Sequence, residues 1–232
     1  MSNPGELLAR LTPGTVRYGV PHGGTPDLTA QDIAHGLALV PAGLGRDVLE
    51  ACWWPDGAAL RRSHLRDTDV ALVVREIQRQ QQRLAEARTD LGIAKACLGW
   101  SGPVTSAQRA ERDRAALRLE QVKDSLWPQT TLDMLPALVA AVISEMAQPS
   151  LCPSCYGRGE RRVGALLKVC DVCNGSGIVA MSDCRRAAAI GRDEAAYRRR
   201  WRGVYEWLLE QMRHAERQAA LELHEALRRE AA

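Results

Sequence analysis

Phenylalanine is absent from the chain, and aromatic residues make up only 4% of its 232 positions, whereas alanine, leucine and arginine abound. Those three residue types lose little freedom in a helix, so the composition favours helices over strands. Long apolar runs are missing too. No stretch approaches the roughly 18 apolar residues that a spanning helix needs, which excludes a transmembrane helix. The opening "MSNPGELLARLTPGTVRYGVPHGG" has no apolar core and is broken by prolines and glycines, which excludes a secretory signal and points to a reducing cytoplasm. There the seven cysteines are not expected to be structural disulfides. Several catalytic signatures are also lacking: a glycine-rich phosphate loop with its lysine, a nucleophile elbow, and His-Glu-x-x-His. The His-x-Glu that a zinc deaminase sets ahead of Pro-Cys-x-x-Cys is not there either. These absences argue against an enzyme acting on a small-molecule substrate.

What is present is a 46% hydrophobic chain able to bury a core. The expected fold class is mostly α: a multi-helix core, a small four-cysteine zinc-ribbon or knuckle insertion, and a helix-turn-helix-like C-terminal part. Residues 1–27 read as a flexible leader and 28–149 as an α-helical body. Within the body, Thr29 is placed to cap a first helix with Ile33, Leu37 and Leu39 on its apolar side. Two short helices then divide at Pro55-Asp56-Gly57, with at least one of Trp53 and Trp54 in the core. A long helix follows over Thr68–Leu98, with Val70, Val73, Val74, Ile77, Leu84, Leu91 and Leu98 in approximate helical period. Its Gln- and Arg-rich centre reads as a solvated face. A second charged helix ends before Pro128, and the pair forms an antiparallel hairpin. The segment "TTLDMLPALVAAVISEMA" is almost wholly apolar and so is expected to be buried, with Pro136 in its first turn or at a kink.

Residues 150–180 change character. "CPSCYGRG" is echoed by "CDVCNGSG", so Cys152 and Cys155 form one close pair and Cys170 and Cys173 another, fourteen residues on. Two such pairs supply the four thiolates of a tetrahedral zinc site, with the intervening hairpin bringing the knuckles together. Gly157, Gly159, Gly175 and Gly177 suit a backbone wrapped around an ion. A thioredoxin-type redox pair has one Cys-x-x-Cys opening a helix in a βαβ unit, and iron–sulfur proteins commonly use other spacings. The expected cofactor is one structural zinc ion. Cys52, Cys97 and Cys184 read as ordinary buried thiols.

Charge is uneven. Net charge is only +3, yet between Gly157 and Arg202 eleven basic residues face five acidic ones. Nucleic-acid binding is the commonest reason for such asymmetry. "MSDCRRAAAIGRDEAAYRRRWRGVYEWL" reads as helix, tight turn, helix, with Ser182 and Asp193 as caps and small Ala187 and Ala188 at the crossing. Tyr197, Trp201, Val204, Tyr205 and Leu208 share one face of the second helix. Arg199 and Arg202 fall opposite, Arg198 lies on the flank, Arg192 precedes the cap, and Arg200 lies near the apolar edge. Region 181–232 is thus expected to bind double-stranded DNA through Arg192, Arg198, Arg199 and Arg202, together with Arg185 and Arg186. A solvated amphipathic helix whose arginines do nothing specific is the plainer alternative.

Two families share parts of this pattern. The paired Cys-x-x-Cys-x-Gly-x-Gly units look like half of the DnaJ chaperone zinc domain, but its other two units and its His-Pro-Asp are missing. The segments "LPALVAAVISEMAQPSLCPSCYGRG", "ERRVGALLK", "VCDVCNGSGIVAMSDCRRAAAIG" and "YRRRWRGVYEWL" resemble the lambda-type Q antitermination proteins of temperate bacteriophages. "DLTAQDIAHGLALVPAGLG" upstream is similar to that family's first helix and turn. The resemblance covers roughly 27–225 and is specific over about 131–210. It implies a phage late-gene regulator in the bacterial cytoplasm that binds a late-promoter site and joins paused RNA polymerase through its β-flap and sigma factor. Assisted by NusA, it then carries the enzyme past terminators. It also implies that Arg161, Arg162 and Lys168 of the zinc hairpin add phosphate or polymerase contacts, and that the N-terminal helices serve the polymerase. A zinc-stabilised repressor or activator, and a chaperone-like module, are the rival expectations.

Overall fold

The computed structural model describes residues 29–54, 62–98, 100, 102–163 and 166–230, together with Leu8 and Leu11. Helices dominate: α1 (Ala30–Leu39), α2 (Leu44–Trp53), α3 (Arg62–Ala96), α4 (Ser106–Asp124), α5 (Thr131–Ala147) and α6 (Asp183–Ala189). The last helix, α7, starts as Glu194–Ala196, widens into a π-helical turn over Tyr197–Trp201 and continues as Arg202–Glu230. Four short strands lie between α5 and α6: β1 (Ser150–Leu151), β2 (Glu160–Val163), β3 (Leu166–Val169) and β4 (Ile178–Val179). The chain forms two compact units, one of residues 1–69 with 134–232 and the other of residues 70–133. Both boundaries fall within the segment 28–149 that the sequence reads as one helical body. Among the described residues, no helix is long and apolar enough to cross a membrane.

The smaller unit is the expected helical hairpin. Its antiparallel register is fixed by three bonds: Gln108 Nε2 to the Cys97 carbonyl (2.9 Å), Arg118 to Asp90 (3.1 Å), and the Trp127 amide to Gln80 Oε1 (3.0 Å). Leu84, Ala87 and Leu119 form its buried centre, flanked by Leu91, Val122 and Leu126. Gln80, expected on a solvated face, is instead buried at 4% exposure. It lies seven residues before Ala87, on the seam, and its amide satisfies a backbone N–H that burial would otherwise strand. Val70, included in the apolar period, is exposed because it falls off that seam.

In the larger unit, α1 and α2 pack along the C-terminal half of α7. Ile33, Leu37, Val40, Leu49, Ala219, Leu223 and Leu227 form the core there, and Trp53 and Trp54 pack against it half-buried. Each fully buried aliphatic side chain contributes about 1.5–3 kcal/mol. Thr29 caps α1 as expected, in a reciprocal capping box with Asp32. Leu39 is exposed and Val40 takes the buried place assigned to it, because α1 ends at that point and the chain turns in. Gly45 lets α2 approach α7 closely, since a Cβ there meets the Ala215 carbonyl oxygen at 2.5 Å. Leu8, placed by the sequence in the leader, is fully buried in this core; the rest of 1–27 except Leu11 lies outside the described residues. The turn at Pro55-Asp56-Gly57 also lies outside them, and by Arg62 the chain is already in α3.

Helix α5 is less buried than its composition implies. Leu135, Leu138, Ala141, Val142 and Glu145 line its buried face, while Pro136, Ala140 and Ser144 are exposed. Pro136 sits in the second turn on the exposed side, beyond the first-turn site where a missing N–H is harmless.

Candidate metal centre and nucleic-acid interface

β1 pairs antiparallel with β4, and β2 with β3, so the cysteine module is a hairpin nested inside an outer strand pair. The knuckles sit between the two pairs. Cys152 and Cys170 are completely buried, Cys155 and Cys173 nearly so. The four Sγ atoms lie within 4.8 Å of one another, with Cys152–Cys170 at 3.9 Å and Cys155–Cys173 at 3.7 Å. A tetrahedral ion with metal–sulfur bonds of about 2.3 Å has sulfur–sulfur edges of roughly 3.8 Å, so the donor set fits such an ion.

The two knuckles are near copies. The Cys152 amide donates to the Gly177 carbonyl and the Cys170 amide to the Gly159 carbonyl, both at 2.8 Å. Gly159 N–H donates to Cys155 Sγ and Gly177 N–H to Cys173 Sγ, both at 3.3 Å. Those glycines have φ of +74° and +75°, and a Cβ on either meets the backbone oxygen of Gly175 or Gly157 at 2.3 Å. No other residue fits there. Burial pushes the Cys155 thiol up to about 11, opposed by the Gly159 N–H. At Cys170 burial also pushes upward, but hydrogen bonds from the Cys173 and Val172 N–H groups, with those to the Cys173 and Cys152 thiols, together bring the thiol down to about 7. Four protein thiolates leave no open coordination position, so the centre can hold a fold together but offers a substrate no entry. Of the remaining cysteines, Cys52 is buried, its thiol pushed up to about 12 by that burial. Cys97 and Cys184 are exposed, against expectation. Cys97 follows the end of α3, and Cys184 lies in the short α6.

Directly after β4, Ser182 caps α6 and Asp193 caps α7 through the Ala196 amide at 2.8 Å. Between them Gly191 (φ +66°) closes α6: its own N–H bonds Ala188 and the Arg192 N–H bonds Ala187, a Schellman pair. The helix, tight turn, helix read from the sequence is present. Tyr197, Trp201, Val204, Tyr205 and Leu208 are all buried on one face, as expected. Ala187 is buried at the crossing, whereas Ala188 is exposed.

Arg186 corrects the sequence reading. It is only 6% exposed, which leaves its guanidinium little surface to offer DNA. Its Nε and Nη2 donate to Glu145 at 2.9 and 2.6 Å, and its guanidinium lies 5.1 Å from the Tyr205 ring centroid. Tyr205 Oη donates to the same carboxylate at 2.9 Å. Glu145 therefore ties α5, α6 and α7 together. Hydrogen bonding to Glu145 raises the Arg186 pKa further against the lowering effect of burial; desolvation raises that of Tyr205, as does Glu145. Next to them Tyr197 Oη is buried without a hydrogen-bond partner among the described residues, and its phenol is pushed up to about 12 by burial, partly offset by Arg186.

The remaining arginines differ in how far they are committed. Arg198 pairs with Asp183 (3.2 Å) and Glu194 (2.5 Å), and Arg202 with Glu206 (3.0 Å) and Asp183 (3.8 Å). Arg192 stacks over Trp201 at 5.6 Å and reaches Met134 Sδ. Arg185 donates to Ser150 Oγ at 3.3 Å, linking α6 to β1. Arg199 is exposed, bonded to the Ala195 carbonyl of its own helix. Arg200, read as lying near the apolar edge, is exposed: the π turn changes the angular spacing and leaves Arg198, Arg199 and Arg200 all in solvent between buried Tyr197 and Trp201.

On the hairpin, Arg161 pairs with Asp171 and Ser154. Cross-strand partners share a face, so Arg161 and Lys168 lie on one side of the ribbon while Arg162, opposite Leu167, lies on the other. The three cations expected to act together are thus divided between two faces.

Known proteins offer no match. Neither a family model, nor a curated protein, nor a solved structure is similar to this chain by sequence or fold comparison. The site therefore rests on its own geometry. One of its residues escaped the sequence reading: Glu145 had a usable signal as the one acid in the apolar stretch of α5 after Leu135.

Proposed function

We propose that this chain is a zinc-stabilised, DNA-binding transcription regulator of the antiterminator type. It loads from a promoter-proximal DNA site onto bacterial RNA polymerase and allows read-through of terminators. The observation that carries the reading is the coupling of a closed four-thiolate centre to a helix–turn–helix whose second helix opens with three solvent-facing arginines. Zinc is the ion of choice for such a site because it prefers four thiolates in a tetrahedron and has no redox chemistry of its own. Arg199 and Arg200 are the leading phosphate contacts, since neither forms an ion pair among the described residues. Arg198 and Arg202 exchange their own acids for DNA. Arg185, Arg192, Arg162 and Lys168 add positive field. Polymerase contacts through the β-flap and sigma factor, help from NusA, and action in the host cytoplasm follow the resemblance to Q proteins. The protein acts by binding, with no catalytic step.

The test is transcription by purified bacterial polymerase on the DNA adjoining this gene, with a terminator placed well downstream of the promoter. Read-through should rise when the protein is added. Promoter occupancy without read-through refutes antitermination and leaves a repressor or activator. Leu166, Leu167 and Val169, each about two-thirds exposed on the zinc hairpin, favour one further reading, a module that binds unfolded chains. Suppressed aggregation of a denatured client, with no DNA binding, is the result that selects it.

A further inference from the structure

The two knuckles provide an internal comparison. Each has the same backbone path and the same N–H to sulfur bond, so the fold asks the same of both. The residue after the second cysteine has φ near +50° in each: Asn174 at 50° and Tyr156 at 53°. Asparagine is among the few non-glycine residues that adopt this conformation readily, while for a bulky side chain it is strained. Two residues on, Ser176 serves its knuckle by donating to the Cys173 carbonyl and accepting from the Ile178 N–H. Its counterpart Arg158 is exposed and forms no ion pair among the described residues. Tyr156 is 78% exposed. The first knuckle thus carries a strained, exposed aromatic and an unpaired cation where its twin carries two residues that suit the fold.

Neither side chain forms a hydrogen bond or an ion pair among the described residues, so both are available to a partner. An aromatic ring beside an arginine matches the backbone of duplex DNA, whose phosphates take the cation and whose deoxyribose edges take the ring. Arg185, bonded to Ser150 at the foot of the same module, extends the positive surface toward α6. We propose that the first knuckle is a second DNA-contacting element, separate from α7: Tyr156 lays its ring against a sugar–base edge and Arg158 neutralises a phosphate. This rests on the DNA-binding reading above.

The metal-loaded full-length chain is titrated with a labelled mixed-sequence duplex at several salt concentrations, alongside thermal melts. Tyr156→Asn relieves the strained backbone, so it should melt at or above the wild-type temperature while binding several-fold more weakly. Arg158→Ser should reduce the salt slope by about one unit. A Tyr156→Asn protein that binds like wild type, or that melts lower, overturns the assignment of Tyr156; an unchanged slope overturns that of Arg158. If the wild-type chain does not bind the duplex at all, the DNA-binding reading itself is refuted and this one with it. Weakened binding by Arg199→Ala beside unaltered knuckle variants refutes the second contact alone.

Discussion

Replacing Arg186 with methionine separates a buried structural arginine from a surface contact. In the wild-type protein Glu145 is 3% exposed and receives two guanidinium bonds at 2.9 and 2.6 Å. Removing Arg186 leaves that carboxylate with Tyr205 Oη at 2.9 Å and Arg213 at 3.7 Å, too little to solvate a buried charge. Breaking one side of such a pair costs about 3–5 kcal/mol, a large part of the roughly 5–15 kcal/mol that holds a domain folded. Urea unfolding followed by circular dichroism should show that loss as a lowered midpoint. The double variant Glu145→Leu with Arg186→Met removes both charges and should recover most of the stability, because replacing the whole pair by apolar groups is often close to neutral. DNA affinity of the folded double variant should equal wild type. If the single variant is as stable as wild type yet binds DNA poorly, Arg186 is a surface contact and the reasoning is wrong.

Asp69 is buried with neither carboxyl oxygen hydrogen-bonded among the described residues, and burial together with Asp47 raises it from 3.8 to about 7. A carboxyl raised on folding gives stability that is full below about pH 4 and is lost as pH climbs to about 7, here on the order of 4 kcal/mol. Asp69→Asn should flatten the stability profile across that window and raise the melting temperature at neutral pH; an unchanged profile rejects the unpaired acid. Cys155→Ser removes one of four ligands and one N–H to sulfur bond, so metal per chain should fall well below one by elemental analysis. Full stoichiometry in that variant excludes Cys155 as a ligand.

Features with a local cause could be read from the chain. Thr29, Ser182 and Asp193 cap because their side chains reach amides three residues ahead, and no distant residue is involved. The cysteine centre was equally legible, since each knuckle supplies two ligands within four residues and repeats the same glycines. The five-residue apolar face of α7 followed from its spacing alone.

Where the deciding partner lay far along the chain, sequence was silent. Arg186 and Arg185 are neighbours in one short helix, yet one is buried and the other exposed. The difference is Glu145, forty-one residues upstream, which accepts both bonds from Arg186. Gln80 looked like part of a polar run until Trp127, forty-seven residues on, gave it a seam position. The first two helices belong with the last because the C-terminal half of α7 has an apolar stripe that they cover together with Leu8. Pattern within a helical turn or a knuckle is dictated by the sequence, through backbone geometry and short reach. Which charges are buried, and which arginines remain free to meet a partner, is decided only when distant elements remove water from between them.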